Sequence, residues 1–138
     1  MILFTDSSAY IAYYNKRDKN HNKAVSLVKR IRNGEFGPVI IYTSDYVFDE
    51  VVTTILILTK NKDLAIRIGE TIKSSKITKI IKVNNEIFQR AWDIFKRYRD
   101  KLWSFTDCTS FVIMRKMNIK TAFTFDKHYK QAGFNTIP

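Results

Sequence analysis

The chain has 138 residues, 45% hydrophobic and 27% charged, which suits one domain with a full core and is too apolar for a disordered segment. Its 24 Lys and Arg against 13 Asp and Glu give a net charge of +11, an excess that favours a polyanionic partner such as RNA, DNA or acidic lipid. One cysteine (Cys108) and two histidines (His21 and His128) exclude an internal disulfide and a closed zinc site, and no apolar run approaches the roughly 20 residues of a membrane span.

In chain order, Ile2 to Thr5 reads as a short buried strand and Ser7 to Tyr14 as the helix that follows it. No basic stretch precedes this opening, so it is not a signal peptide, and a cytoplasmic protein is expected. His21 to Asn33 is amphipathic, with Ala24, Val25, Leu27, Val28 and Ile31 at helical spacing. Pro38 to Tyr42 is apolar on both faces, as parallel strands covered on both sides are. Thr43-Ser44 caps a helix from Asp45 to Thr59, and Asp63 to Lys73 follows as another. Ile77 to Val83 is a third strand. Glu86 to Lys101 and Thr106 to Met117 are helices, the latter capped by Thr106 or Asp107. Thr121 to Phe125 and Asn135 to Ile137 complete the strands. Strands alternating with helices predict a single α/β domain over residues 1–138, built on a mostly parallel sheet of four to five strands in a three-layer α/β/α arrangement.

The few acids fall at telling places. Asp6 follows the first strand and Asp126 the fourth, at the sheet edge where ligands gather in open parallel sheets. Asp107 opens a helix, and Asp45, Asp49 and Glu50 lie on the helix after the second strand. Each Asp at a helix start is also a good N-cap. If several converge, however, their repulsion requires a cation, and oxygen ligands suit Mg²⁺ or Mn²⁺. Such a site can act on a phosphodiester, with the basic surface around it holding the backbone.

Four segments, ILFTDSSAYIAYYN, TSDYVFDEVVTTI, SFTDCTSFVIMRKM and TAFTFDKHYKQAGF, give the chain a resemblance to PIN domains of the VapC-like toxin kind, in order and spacing over nearly its whole length. The resemblance implies a strand order near 3-2-1-4-5, with Asp6 and Asp126 at the tips of strands flanking the switch point. It implies four acidic residues around Mg²⁺ or Mn²⁺, carried over as Asp6, Glu50, Asp107 and Asp126, with Ser7 and Thr106 as supporting hydroxyls. It further implies RNA cleavage leaving 5′-phosphate and 3′-hydroxyl ends, a cognate antitoxin, and a possible homodimer.

Helical periodicity leaves Glu50 and Asp49 equivalent. The two lie on opposite flanks of the apolar face formed by Val47, Phe48, Val51, Val52, Ile55 and Leu58. The resemblance favours Glu50. Asp45 reads as a partner of the helix dipole. Tyr46 and Ile57 fall outside that face, so the helix is either deeply packed or part of an interface.

The stretch from Arg90 to Trp103 mixes basic and aromatic residues, as single-strand binding surfaces do. Ile87, Ala91, Ile94, Phe95 and Tyr98 repeat at core spacing. Trp92 and Trp103 are open to either role, and Arg90, Arg97, Arg99 and Lys101 are candidate phosphate contacts. His128, two residues after Asp126, is a candidate proton shuttle. Cys108 reads as a small buried hydrophobe.

Other families with an acid at a strand end fit less well. Dehalogenase-type phosphatases need a second Asp where Ser8 stands, receiver domains need adjacent acids, and a dinucleotide fold needs glycines in the turn Asp6-Ser7-Ser8-Ala9. A metal-dependent endoribonuclease is therefore the expected function. A non-cleaving RNA- or protein-binding module and a structure-selective DNA nuclease are the alternatives.

Overall fold

The computed structural model describes all residues from 1 to 138. Five strands, β1 (Ile2–Thr5), β2 (Ile40–Ser44), β3 (Thr78–Ile81), β4 (Thr121–Phe123) and β5 (Asn135–Ile137), form one sheet in the order β3-β2-β1-β4-β5, and every pairing is parallel. Seven helices connect them: α1 (Ser7–Tyr14), α2 (His21–Arg32), α3 (Asp45–Thr59), α4 (Lys62–Ser74), α5 (Asn85–Arg97), α6 (Phe105–Lys116) and α7 (His128–Gln131). The expected α/β class and strand order are therefore what the structure has.

Alternation along the strands divides the core between two faces. Phe4 and Ala122 enter the larger cluster, with Val47, Val51 and Ile55 of α3, Ala91 of α5, and Phe111 and Met114 of α6. Phe123 enters a smaller cluster with Ala9 and Ala12 of α1 and Ala24 and Leu27 of α2. The chain starts at the sheet centre, where β1 pairs with β2 from Ile2↔Ile40 and with β4 from Leu3↔Thr121. Consequently the β1–α1 junction, which carries Asp6, faces the β4–α7 junction, which carries Asp126.

Several boundaries differ from expectation. β2 begins at Ile40, not Pro38, because register with Ile2 starts there, while the Pro38 carbonyl accepts from the chain's N-terminal ammonium. β4 stops at Phe123, so two residues separate it from Asp126. α5 stops at Arg97, where a turn from Tyr98 to Lys101 takes over. α6 is capped by Ser104, not by Thr106 or Asp107. The Ser104 hydroxyl accepts from the Asp107 N–H, and the Asp107 carboxylate accepts from the Ser104 N–H. The short helix α7 was not expected.

Gly69 lets α4 approach α3. A Cβ there would meet Phe48 Cζ at 3.1 Å and Val52 Cγ1 at 3.3 Å, tighter than ordinary packing. Leu58, expected in the apolar face of α3, is instead exposed together with Ile57, because that end of the helix runs past the core. The Asp45 carboxylate does more than complement a dipole. Its Oδ1 accepts from the Val83 N–H at 2.9 Å, tying α3 to the chain beyond β3.

Candidate active site

Asp6 occupies the N-cap position of α1, yet its side chain caps nothing. Instead it is 2% exposed and surrounded by hydroxyls. Oδ2 accepts from Ser8 Oγ at 2.8 Å and Thr124 Oγ1 at 2.9 Å, while Oδ1 accepts from Tyr129 Oη at 3.2 Å and, more loosely, from Ser7 Oγ at 3.4 Å. Those two nearer hydroxyls also accept, Ser8 from the Phe125 N–H and Thr124 from the Asp126 N–H, both at 3.0 Å. One carboxylate thus organises the loop that carries another, through two hydroxyl relays. Burial, followed by the nearby Asp6 and Asp107 charges, holds the Tyr129 phenol well above its ordinary 10.0, so it remains a donor. Tyr129→Phe should lower stability by about 1.5–3 kcal/mol, the range for a hydrogen bond to a charged group, measured as a shift in urea midpoint at constant m.

Asp107 and Asp126 meet at His128. Its Nδ1 lies 3.0 Å from Asp107 Oδ2 and 3.2 Å from Asp126 Oδ1, and its N–H donates to Asp126 Oδ1 at 2.9 Å. Ligand atoms of Asp107, Asp126 and His128 all fall within 4.8 Å of one another. The other oxygens, Asp107 Oδ1 and Asp126 Oδ2, take no hydrogen bond from the protein. Sequence reasoning placed His128 near the site but not between two of its acids. Asx-type turn geometry at Asp126 and the capping box at Asp107 are what bring the ring there.

Glu50, on α3, lies in range of the Asp6 and Asp107 charges. Burial pushes its carboxyl above the ordinary 4.5; the Ser7 hydroxyl opposes this, and the charges of Asp6, Asp107 and Asp49 add to it. Burial likewise raises Asp107 above 3.8, opposed by the His128 and Ser104 hydrogen bonds and reinforced by the Asp6 and Asp126 charges. Asp49, the periodicity alternative, is exposed and accepts from Thr53 Oγ1 at 3.2 Å. None of the seven salt bridges joins a Lys or Arg to Asp6, Glu50, Asp107 or Asp126, although the chain holds 24 such cations.

A carboxyl whose folded pKa exceeds its unfolded value binds more protons when folded, so its contribution to stability is present at low pH and lost as pH rises through the folded value. In EDTA, the melting temperature of the wild type should therefore fall as pH climbs above 4.5, the ordinary value for Glu50. Glu50→Gln should flatten that fall and melt higher at pH 7. Parallel curves for the two proteins, by calorimetry across this range, would count against the coupling.

The remaining expected residues are placed as follows. Ser7 Oγ lies 3.4 Å from Asp6 Oδ1, and its hydroxyl opposes the upward shift of Glu50. Thr106 contributes its carbonyl to Thr109 and Ser110, not its hydroxyl to the acids. Arg90 pairs with Glu86 at 3.1 Å, Lys101 with Asp100 at 3.5 Å, and Arg97 lines a surface groove with Arg90, Arg115 and Lys116. Arg99 is exposed in the turn after α5. Cys108 is buried, its thiol pushed up to about 11 by burial and the adjacent Asp107 charge. Ser8, Thr124 and Tyr129 were not anticipated as site residues.

A family model described as "PIN domain" matches residues 3–135. The chain is 30% identical over 133 residues to the "23S rRNA-specific endonuclease VapC20" of Mycobacterium tuberculosis, covering 96% of this chain and 95% of that protein. The crystal structure of that VapC20, titled a "Sarcin-Ricin loop cleaving toxin", superposes with a TM-score of 0.85 at 28% identity, covering 97% of this chain and 96% of the other. The "VapC ribonuclease" of Archaeoglobus fulgidus is 27% identical over 122 residues, 87% of this chain and 74% of that one. VapBC2 from Rickettsia felis, at 13% identity, a TM-score of 0.71 and coverage of 99% and 97%, shares the fold. No helix is long and apolar enough to cross a membrane.

Proposed function

The chain belongs to the PIN-domain family, and from that premise we propose that it is a divalent-metal-dependent endoribonuclease, acting in the cytoplasm as the toxin of a toxin–antitoxin pair. One observation carries this reading: Asp107 and Asp126 converge within 4.8 Å, Asp6 and Glu50 lie in range of their charges, and no Lys or Arg neutralises any of the four on a chain of net charge +11. Acids placed near one another cannot all stay ionised without a cation. Their oxygen donors, with open lone pairs on Asp107 Oδ1 and Asp126 Oδ2, fit a hard ion, Mg²⁺ or Mn²⁺. Asp6, Glu50, Asp107 and Asp126 would hold it, and when bound it supplies Lewis-acid activation of water and of the phosphodiester.

The chain's own groups set the stage for that chemistry. Ser8, Thr124 and Tyr129 fix both oxygens of Asp6. His128 spans Asp107 and Asp126 and sets their separation, and Ser7 bears on Glu50. Arg90, Arg97, Arg99 and Lys101 would hold the phosphate backbone outside the acidic cleft. A cognate antitoxin protein is the partner this reading implies, and a homodimer is compatible with the exposed apolar end of α3.

The test is incubation of the purified protein with end-labelled RNA in Mg²⁺, Mn²⁺ or EDTA. The similarity to VapC20 makes a ribosomal stem–loop the first substrate to try. Cleavage in metal, none in EDTA, and products with 5′-phosphate and 3′-hydroxyl ends are expected. RNA binding without cleavage in either metal, at enzyme excess, would overturn the reading. Faster cutting of flapped DNA than of RNA would move it to DNA.

A further inference from the structure

His128 opens the short helix α7 in a backbone held on both sides. Its own N–H donates to Asp126 Oδ1 at 2.9 Å, and Tyr129, next in the chain, is fully buried and donates to Asp6 at 3.2 Å. The imidazole side chain is 19% exposed. Its Nδ1 faces the acids, 3.0 Å from Asp107 Oδ2 and 3.2 Å from Asp126 Oδ1, while Nε2 has no partner in the protein. Two anionic oxygens thus stand at nearly equal distance from one nitrogen, which carries at most one proton. A proton on Nδ1 can be well directed at only one of them. A proton on Nε2 leaves the Nδ1 lone pair aimed at two carboxylates, an arrangement that a cation between them would stabilise. No Lys or Arg pairs with either acid to supply it. The spacing also suits an ion, because bonds of about 2.1 Å to an octahedral metal put neighbouring ligands about 3 Å apart. One ligand atom from each of Asp107, Asp126 and His128 falls within 4.8 Å of the other two.

We propose that His128 is itself a ligand of the ion, so that the site offers one imidazole nitrogen beside its carboxylates and selects Mn²⁺ over Mg²⁺. The inference rests on the metal-dependent reading of the four acids. Carboxylate oxygens suit Mg²⁺ and Mn²⁺ alike, whereas an imidazole nitrogen favours first-row transition ions over Mg²⁺. Mg²⁺ also gives up its waters reluctantly and is commonly held by only one or two carboxylates. A single nitrogen donor therefore turns a site that either ion could occupy into one that prefers the softer of the two. The ring is placed for this role. Nδ1 lies among the donor oxygens, and the partly exposed side chain lets Nε2–H donate to water, the second hydrogen bond that a ligating histidine ordinarily makes. Asp126 and His128 stand two residues apart, so one turn of chain supplies both kinds of donor.

Mn²⁺ serves as its own probe. Pulsed electron paramagnetic resonance of the Mn²⁺-loaded wild type should show a directly coordinated nitrogen nucleus, absent from His128→Ala. The other histidine, His21, sits on α2 with its Nδ1 2.8 Å from the Ala12 carbonyl oxygen, so the signal has one source. Titration with Mn²⁺, following the resonance of the free ion, should give a Kd raised about a hundredfold in His128→Ala, the upper end of what even a supporting residue costs at a metal site. Mg²⁺ affinity, read by competition against Mn²⁺, should change little. His128→Asn keeps an N–H donor for the two acids but brings no nitrogen ligand, and it too should lack the coupling. Mn²⁺ bound to the wild type without nitrogen coupling overturns the assignment, as does wild-type Mn²⁺ affinity in His128→Ala. Full recovery of that affinity in His128→Asn also overturns it, since a hydrogen-bonded bridge would then account for the loss. Nitrogen coupling in a protein that cleaves no RNA in any metal would sink the nuclease reading and keep the ligand. Cleavage in Mn²⁺ with no nitrogen coupling would do the reverse.

Discussion

Asp6→Asn is expected to slow RNA cleavage about a thousandfold while leaving a folded protein. Asn has nearly the shape of Asp, so the change removes a charge more than a volume. Several kcal/mol of transition-state stabilisation rest on a divalent ion in sites of this type, and each 1.36 kcal/mol is a factor of ten in rate. Neutralising the most enclosed of the four acids should forfeit about that much. The amide must also face Ser8, Thr124 and Tyr129, which all donate to the carboxylate. Some loss of stability is therefore expected, and Asp126→Asn, whose carboxylate is less enclosed, provides a second variant without that complication. Single-turnover cleavage of a labelled stem–loop, beside circular dichroism melts, reads both effects. Retained activity in both variants would remove these acids from the chemistry.

Phe111→Ala should produce the largest stability loss of any single change considered. Phe111 is fully buried, and its ring centroid lies 5.1 Å from Trp103, 5.0 Å from Tyr129 and 5.7 Å from Phe134. It joins α6 to α7 and to the approach to β5. Truncating such a ring costs about 3–5 kcal/mol, against a total stability of about 5–15 kcal/mol for a domain. A melting temperature lower by about 10–20 °C follows for a chain of this length. Because Tyr129 leans on this ring and also holds Asp6, cleavage should weaken even well below the melting point. Phe111→Leu, which refills most of the space, should recover much of both losses. Equal melting curves for wild type and Phe111→Ala would contradict this packing account.

Much of this was legible in the residues, for identifiable reasons. Ile2–Thr5, Ser7–Tyr14 and Asp45–Thr59 fall where expected because local signals bound them: an apolar run, a helix start beside Asp6, and Ser44 as a cap. The strand order came from the family resemblance, since parallel register is a property of distant pairs. Periodicity misjudged Phe95 on α5, Tyr98 just after it and Leu58 on α3, all expected inside and all exposed. A helical pattern shows which side chains share a face. It does not show whether anything packs against that face. The partners of Asp6 were illegible for a related reason. Ser8 and Thr124 look like ordinary turn residues until the fold places them against one carboxylate.

The separation of those partners along the chain sets when the site can exist. Thr124 and Tyr129 follow Asp6 by 118 and 123 residues. Synthesis delivers the N-terminal strand first, and domains fold as units as their chain emerges. Asp6 is therefore made well before Thr124 and Tyr129, which complete its surroundings. Until the chain from Thr121 to His128 has emerged, β1 lacks its β4 neighbour, then Asp126 is missing, and His128 bridges nothing. A nascent chain, or one cut short before residue 121, holds Asp6, Glu50 and Asp107 without the geometry that unites them. The acidic site is thus united only once β4 and α7 have been made and have met β1 and α6.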